Sequence, residues 1–179
     1  YAEVAQKMAA IAGVKHAMPL IEGQAMVSTP AQALAGVVRG LTEVGIKALP
    51  LIAGNVRAGT LDGFDGQDGI AIGSRLANSL RVTAGDTVTL VSPRGATTPF
   101  GTAPRIKPYR VAAVFEMGMS EYDRTMIFMP LGEAQRYFNR GDTVDVLEVI
   151  VDDPENVAPV LAEMKQMGIR NLSLSDWRQ

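Results

Sequence analysis

The sequence predicts an α+β fold in two lobes, one assembled from both ends of the chain and the other inserted between them. Three observations carry this. Short runs with period-two apolar alternation, such as TVTLV (87–91), are interleaved with stretches of helical spacing, such as Val157, Val160, Leu161 and Met164. The last third has the order strand, helix, strand, a βαβ-like unit, and the N-terminal helix and strand suit it as a partner. The middle is rich in short strands and glycine turns. The expected division places residues 1–45 and 143–179 in the first lobe and 46–142 in the inserted, mostly β lobe. With 179 residues, 47% of them apolar and 20% charged, the chain is long enough and apolar enough to bury a core.

Taken in order, Tyr1 to Ala12 is a helix, with Val4, Met8 and Ile11 at helical spacing and Gly13 as the stop. VKHAMPLIEGQAMVST (14–29) is a strand in which Pro19 marks an edge or a bend. After a turn at Pro30, ALAGVVRGL (33–41) is its hairpin partner. Thr42 to Pro50 is a short helix or loop, and VRAGTLDGFDGQDG (56–69) a glycine- and aspartate-rich connection. Ile70 to Ile72 form a brief strand leading into a helix capped by Ser74, with Leu76, Ala77 and Leu80 facing inward. Residues 84–86 turn the chain into the strand 87–91. YRVAAVFEMG (109–118) and TMIFMP (125–130) are strands, and LGEAQRYF (131–138) is a helix. Strand 144–153 ends at Asp153-Pro154, the expected cap and first residue of a helix that Gly168 ends, and 169–177 is the returning strand.

Composition excludes several function classes. A net charge of −2 supplies no field for nucleic acid or an anionic membrane. No apolar run reaches the length of a bilayer span, and no signal peptide is visible. The chain starts at Tyr1 and stops at Gln179 as if cut from something longer. Without cysteine there is no disulfide scaffold, thiol nucleophile or thiolate zinc site. His16, the only histidine, has no ligand partner at helical spacing and reads as a strand residue with a structural or surface role. GIAIGS (69–74) joins a strand to a helix but lacks phosphate-loop spacing. Asp62, Asp65 and Asp68 miss the EF-hand pattern and read as a solvated turn. No serine sits in GxSxG, and the methionines fall at core spacing. No catalytic residue, cofactor or metal site is expected.

The unusual segment is SPRGATTPFGTAPRIKPYR (92–110), read as a long loop between two strands. Pro93, Pro99, Pro104 and Pro108 each restrict the backbone, so the segment can stand as a semi-rigid arm. Phe100 lies between Pro99 and Gly101, with Arg94, Arg105, Lys107 and Arg110 around it and no acid between Asp86 and Glu116. Two readings are open from these residues: a phenylalanine folded back onto its own lobe, or an apolar anchor ringed by cations and aimed at a partner. The prolines favour the docking arm.

The order GIAIGSRLANSLRVTAGDTVTLVSP, TPFGTAPRIKPYRVAAVFEMGMSEYD and MIFMPLGEAQRYF resembles the periplasmic domain of the lipoprotein-releasing permeases LolC and LolE, transmembrane subunits of a Gram-negative ABC transporter. The likeness runs from GVKHAMP (13–19) to SDW (175–177), and its specific part is residues 69–138. It implies a MacB-like periplasmic fold with a Porter lobe (1–45 and 143–179) and an inserted Sabre lobe (46–142). It also implies a Hook hairpin loop, here 92–108, that recruits the soluble carrier LolA. On this sequence the tip motif is Thr98-Pro99-Phe100-Gly101, and Arg94, Pro104, Arg105 and Lys107 are the neighbouring contact candidates. The family passes outer-membrane lipoproteins from the inner membrane to LolA, and ATP is hydrolysed by a separate cytoplasmic subunit. The implied place is the periplasmic face of the inner membrane, beside a partner permease or a second copy. MSEYD (119–123) and the GMS before it resemble LolE as much as LolC, as in the combined, homodimeric LolF type. The rival is a MacB-like efflux or mechanotransmission domain that docks another periplasmic partner.

Overall fold

The computed structural model describes residues 1–66, 68–93, 95 and 97–168. Its elements in chain order begin with α1 (Ala2–Ala9), β1 (Val14–Ser28), β2 (Ala33–Leu41), α2 (Glu43–Lys47), α3 (Pro50–Ala53), β3 (Val56–Gly59) and β4 (Gly69–Gly73). They continue with α4 (Ser74–Leu80), β5 (Thr87–Ser92), β6 (Thr97–Thr98), β7 (Gly101–Thr102), β8 (Arg105–Phe115) and α5 (Ser120–Thr125). The last are β9 (Met126–Pro130), α6 (Leu131–Tyr137), β10 (Val146–Val151) and α7 (Ala158–Gln166). The α+β class expected from the sequence is the one found.

Contacts divide the chain into Tyr1–Met18 with Leu147–Gln179, and Pro19–Val146. The join therefore falls at Met18/Pro19, inside β1, so that β2 and α2 cluster with the middle of the chain. In the unit built from the ends, β10 pairs with β1. Ile11, Val160 and Met164 form a small apolar core there, backed by Val14, Val149, Val151 and Met167. The expected cap at Asp153 closes a turn instead: its Oδ1 accepts from the Glu155 amide at 3.1 Å. The helix starts later, at Ala158, with proline in its first turn. The expected strand 169–177 lies outside the described residues.

In the unit from Pro19 to Val146, strand pairing closes on itself. β1 pairs with β2, β2 with β9, β9 with β4, β4 with β8, β8 with β5, and β5 with β1. Closure removes free sheet edges around this ring. Two apolar clusters occupy its two sides, and strand alternation decides which residue joins which. Ile70, Ile72, Ile127 and Met129 point into the cluster that holds Tyr109 and Tyr137. Their neighbours Ala71, Met126 and Phe128 point into the other, with Ile46, Ile52 and Phe64. This two-sided burial is why β4 and β9 are continuous apolar runs in the sequence. In β8 the phase shifts once: Ile70 opposes Val111 but Ala71 opposes Ala113, leaving Ala112 as a bulge residue.

The expected Ser74 cap is a second correction: Gly73 is the N-cap and Ser74 is the first helical residue, with no side-chain cap bond. Among the elements without a clear signal are β3 inside the glycine-rich connection and α5 inside MSEYD. Asp123 explains the latter. It is buried, and its carboxylate accepts from the amides of Met117 at 2.6 Å and Gly118 at 3.0 Å, pinning α5 beneath the end of β8. The aspartate-rich connection serves α2: Asp65 Oδ1 accepts from the Glu43 amide at 2.7 Å, and Asp62 Oδ1 from Lys47 Nζ at 2.7 Å.

Candidate docking hairpin

Residues 92–110, expected as a long loop, are mostly ordered strand. β5 and β8 pair over six rungs, from Thr87↔Arg110 to Ser92↔Arg105. Beyond a short interval, β6 and β7 resume the ladder at Thr97↔Thr102 and Thr98↔Gly101. The residues alone read as a loop because prolines argue against central strands, while the family resemblance implied a hairpin. Here β4 joins β8 only from Arg110 onward, so Pro108 sits where β8 has one unpaired edge, a place strands tolerate proline.

The tip is built by local chemistry. Pro99 and Phe100 are the two residues between the last paired ones, with proline's fixed φ stiffening the turn. Gly101 follows at φ +116°, a region that disfavours residues with a Cβ. The Thr98 hydroxyl donates to the Gly101 carbonyl at 2.7 Å and accepts from the Phe100 amide at 3.3 Å. Lower down, the two sides approach closely at Gly95, where a Cβ would lie 2.1 Å from the Ala103 carbonyl oxygen.

Phe100 is fully exposed (101%), so the ring does not fold back onto the chain. Ile106, on the outer face of β8, is also exposed. Pro99, Phe100 and Gly101 thus come together at the tip, while Pro104 is exposed on the returning side. Arg94 lies outside the described residues. Arg105 and Lys107 belong to the base, on the side of β8 that faces α6.

That base is a buried polar cluster absent from the sequence-level expectations. Glu133 of α6 is 2% exposed. Its Oε1 accepts from Lys107 Nζ at 2.5 Å and from the Tyr109 hydroxyl at 2.7 Å, and its Oε2 accepts from Arg136 Nη2 at 2.7 Å and Nε at 3.1 Å. Arg105 Nη1 donates to the Arg136 carbonyl at 2.8 Å. Burial pushes the Glu133 carboxyl up, but hydrogen bonds from Lys107, Tyr109 and Arg136 and the Lys107 charge hold it below the ordinary carboxylate range. Burial and the Glu133 bond push the Tyr109 phenol up. Tyr137 packs edge-on against Tyr109 at 5.9 Å, and burial pushes its phenol to about 12. The signal was present as LGEAQRYF, but period alone marks Glu133 only as a polar helix position.

Elsewhere the candidates resolve differently. His16 is exposed on β1, and among the described residues no group of three or more His, Cys, Asp or Glu side chains gathers as metal ligands. Among the described residues no helix is long and apolar enough to cross a membrane. A shallow groove of about 550 Å³ beside α4 is lined by residues including Arg57, Arg75, Asn78 and Glu116, and Arg57 Nε donates to Glu116 Oε2 at 2.9 Å.

Comparison with known proteins bears on the family and the fold. The model of the MacB-like periplasmic core domain matches residues 1–167. The lipoprotein-releasing system transmembrane protein LolC of Xylella fastidiosa is 28% identical over 165 residues, 92% of this chain and 40% of that protein. LolC of Neisseria meningitidis serogroup B is 27% identical over 150 residues, 83% of this chain and 36% of that protein. The chain thus spans about 40% or less of the length of these relatives. Among solved structures, the extracellular domain of the noncanonic ABC-type transporter YknZ from Gram-positive bacteria superposes with a TM-score of 0.67 at 14% identity, over 92% of this chain and 80% of that one. The periplasmic region of MacB from Actinobacillus actinomycetemcomitans gives 0.57 at 11% identity, over 93% and 71%. At such identities these structures speak to fold alone.

Proposed function

Because the chain belongs to the MacB-like periplasmic core domain family, we propose that it is the periplasmic part of a lipoprotein-releasing ABC permease and that its hairpin recruits the carrier LolA. The LolC relatives support the transporter class and the lipoprotein cargo. The observation that carries the docking role is Phe100, fully exposed on a two-residue turn stiffened by proline and braced by the Thr98 hydroxyl. A large ring held in water by an ordered arm has little conformational entropy left to lose when a partner covers it. In this reading Pro99, Phe100 and Gly101 enter the carrier, and Arg94, Pro104, Arg105 and Lys107 flank the contact. The Porter and Sabre roles fall to the unit of the chain ends and the unit between them. The chain does transport work rather than catalysis. It stands at the periplasmic face of the inner membrane with a second permease subunit or a second copy, and a cytoplasmic subunit supplies ATP hydrolysis.

The test is titration calorimetry of this chain with LolA from the same organism. Saturable 1:1 binding supports the proposal. Absence of binding at micromolar concentrations rejects LolA as the partner and favours a domain of the MacB efflux type.

A further inference from the structure

We propose that Glu133 is a positioning residue for the hairpin: its carboxylate locks β8 to α6 where the hairpin leaves the closed ring, and so sets the direction in which Phe100 is presented. The link to binding rests on the docking role proposed above; the locking itself does not.

The argument starts from alternation along β8. Arg105, Lys107 and Tyr109 share one side of the strand, and all three reach α6. Lys107 and Tyr109 bond the Glu133 carboxylate, and Arg105 bonds the Arg136 carbonyl. Ile106 and Pro108, on the opposite side, are exposed. α6 is itself fixed, since Leu131, Ala134 and Tyr137 are part of the apolar cluster inside the ring. The arm therefore emerges from a strand whose last three inward side chains are all fastened to one immobile helix.

The partners differ in what they can do without each other. The side chains of Lys107 and Arg136 are 38% and 70% exposed, so either can turn to water. Glu133, at 2% exposure, cannot. A buried carboxylate is tolerable only while its donors stay in place, and that requirement holds β8 in one attitude against α6. β1 pairs with β5 as far as Val91 and holds that side of the root, while among the described residues β8 has no second strand neighbour before Arg110; beyond Val91 the arm is a two-stranded ribbon free to twist and bend. The Glu133 bonds fasten the β8 side of that root, where a small change of angle moves the tip most.

The chain lacks cysteine, so paired nitroxide labels can be placed at will. Thr97→Cys with Ser79→Cys spans the arm and the ring, and Thr87→Cys with Ser79→Cys reports the ring alone; all three positions are exposed. Electron–electron distance measurements should give a narrow 79–97 distribution that broadens in Glu133→Gln and in Lys107→Met, with the 79–87 distribution unchanged. Glu133→Gln should also weaken LolA binding about tenfold with Phe100 intact, the loss expected when preorganisation is removed. An unchanged 79–97 distribution in both variants overturns the proposal, and equal broadening of 79–87 reduces Glu133 to a general stabiliser. A broadened arm with unchanged affinity refutes the link between direction and binding. If the wild type does not bind LolA, the docking role fails, while the label distances still decide whether Glu133 sets the arm.

Discussion

Replacing Phe100 with alanine separates binding from folding more cleanly than any other change in this chain. The ring is fully exposed and packs on nothing, so its removal breaks no contact of the folded state. Stability should stay within about 0.5 kcal/mol of wild type, the usual range for surface substitutions. Binding should suffer in full. Covering a phenylalanine side chain is worth about 1.5–3 kcal/mol, and alanine retains a small part of that. A loss of about 2 kcal/mol corresponds to an affinity about 30-fold weaker. The assay is calorimetric titration with LolA, alongside thermal unfolding of both proteins. An affinity within threefold of wild type, with unfolding unchanged, would show that the tip is not the anchor. A large fall in melting temperature would contradict the exposure itself.

Three further predictions concern the arm and its base. Although burial pushes it up, hydrogen bonds from Lys107, Tyr109 and Arg136 hold the Glu133 carboxyl below the ordinary carboxylate range, so its ionised form contributes stability that is complete above the unfolded value and is lost as pH falls through the folded one. The melting temperature of wild type should therefore drop more steeply than that of Glu133→Gln as pH falls through and below the ordinary carboxylate range, and parallel curves would refute this. Among the described residues the buried Tyr137 hydroxyl has no hydrogen-bond partner. Tyr137→Phe should stabilise the chain by about 1 kcal/mol, raising the melting temperature by about 2–4 °C, whereas a lower melting point would reveal a partner for the hydroxyl. Gly101→Ala places a Cβ at φ +116°, so it should speed amide exchange in β6 and β7 and weaken LolA binding, while amides of β4 and β9 keep their protection. Equal exchange at the tip would show that the turn does not depend on that glycine.

Much of the architecture was legible because local physics and global burial agree. β2, β4, β5, β9 and α6 lie within a residue or so of their expected bounds, since alternation and helical spacing are direct records of which side is buried. Phe100 was legible only as one of two open readings, because residue type and spacing do not say whether a ring packs back on its own lobe. Signals failed where a residue's role is played against a distant one. Asp153 and Ser74 are good caps by type, yet the backbone begins its helices elsewhere. Asp65 looks like a solvent-facing turn residue yet bonds the first amide of α2 from across a loop, and Asp123, unremarkable within MSEYD, holds the amides after β8.

What the sequence by itself determined is the order of most elements, the α+β class and a proline-stiffened segment carrying Phe100, because each depends on neighbours a few positions away. The tertiary structure decided the closure of the strands into a ring, the extension of β5 and β8 into the arm, and the meeting of Lys107 and Tyr109 with Glu133, 26 and 24 positions along the chain. Periodicity says which side of an element is buried but not what lies against it. A charge destined for burial looks like any surface charge until the partners that make burial tolerable are brought beside it.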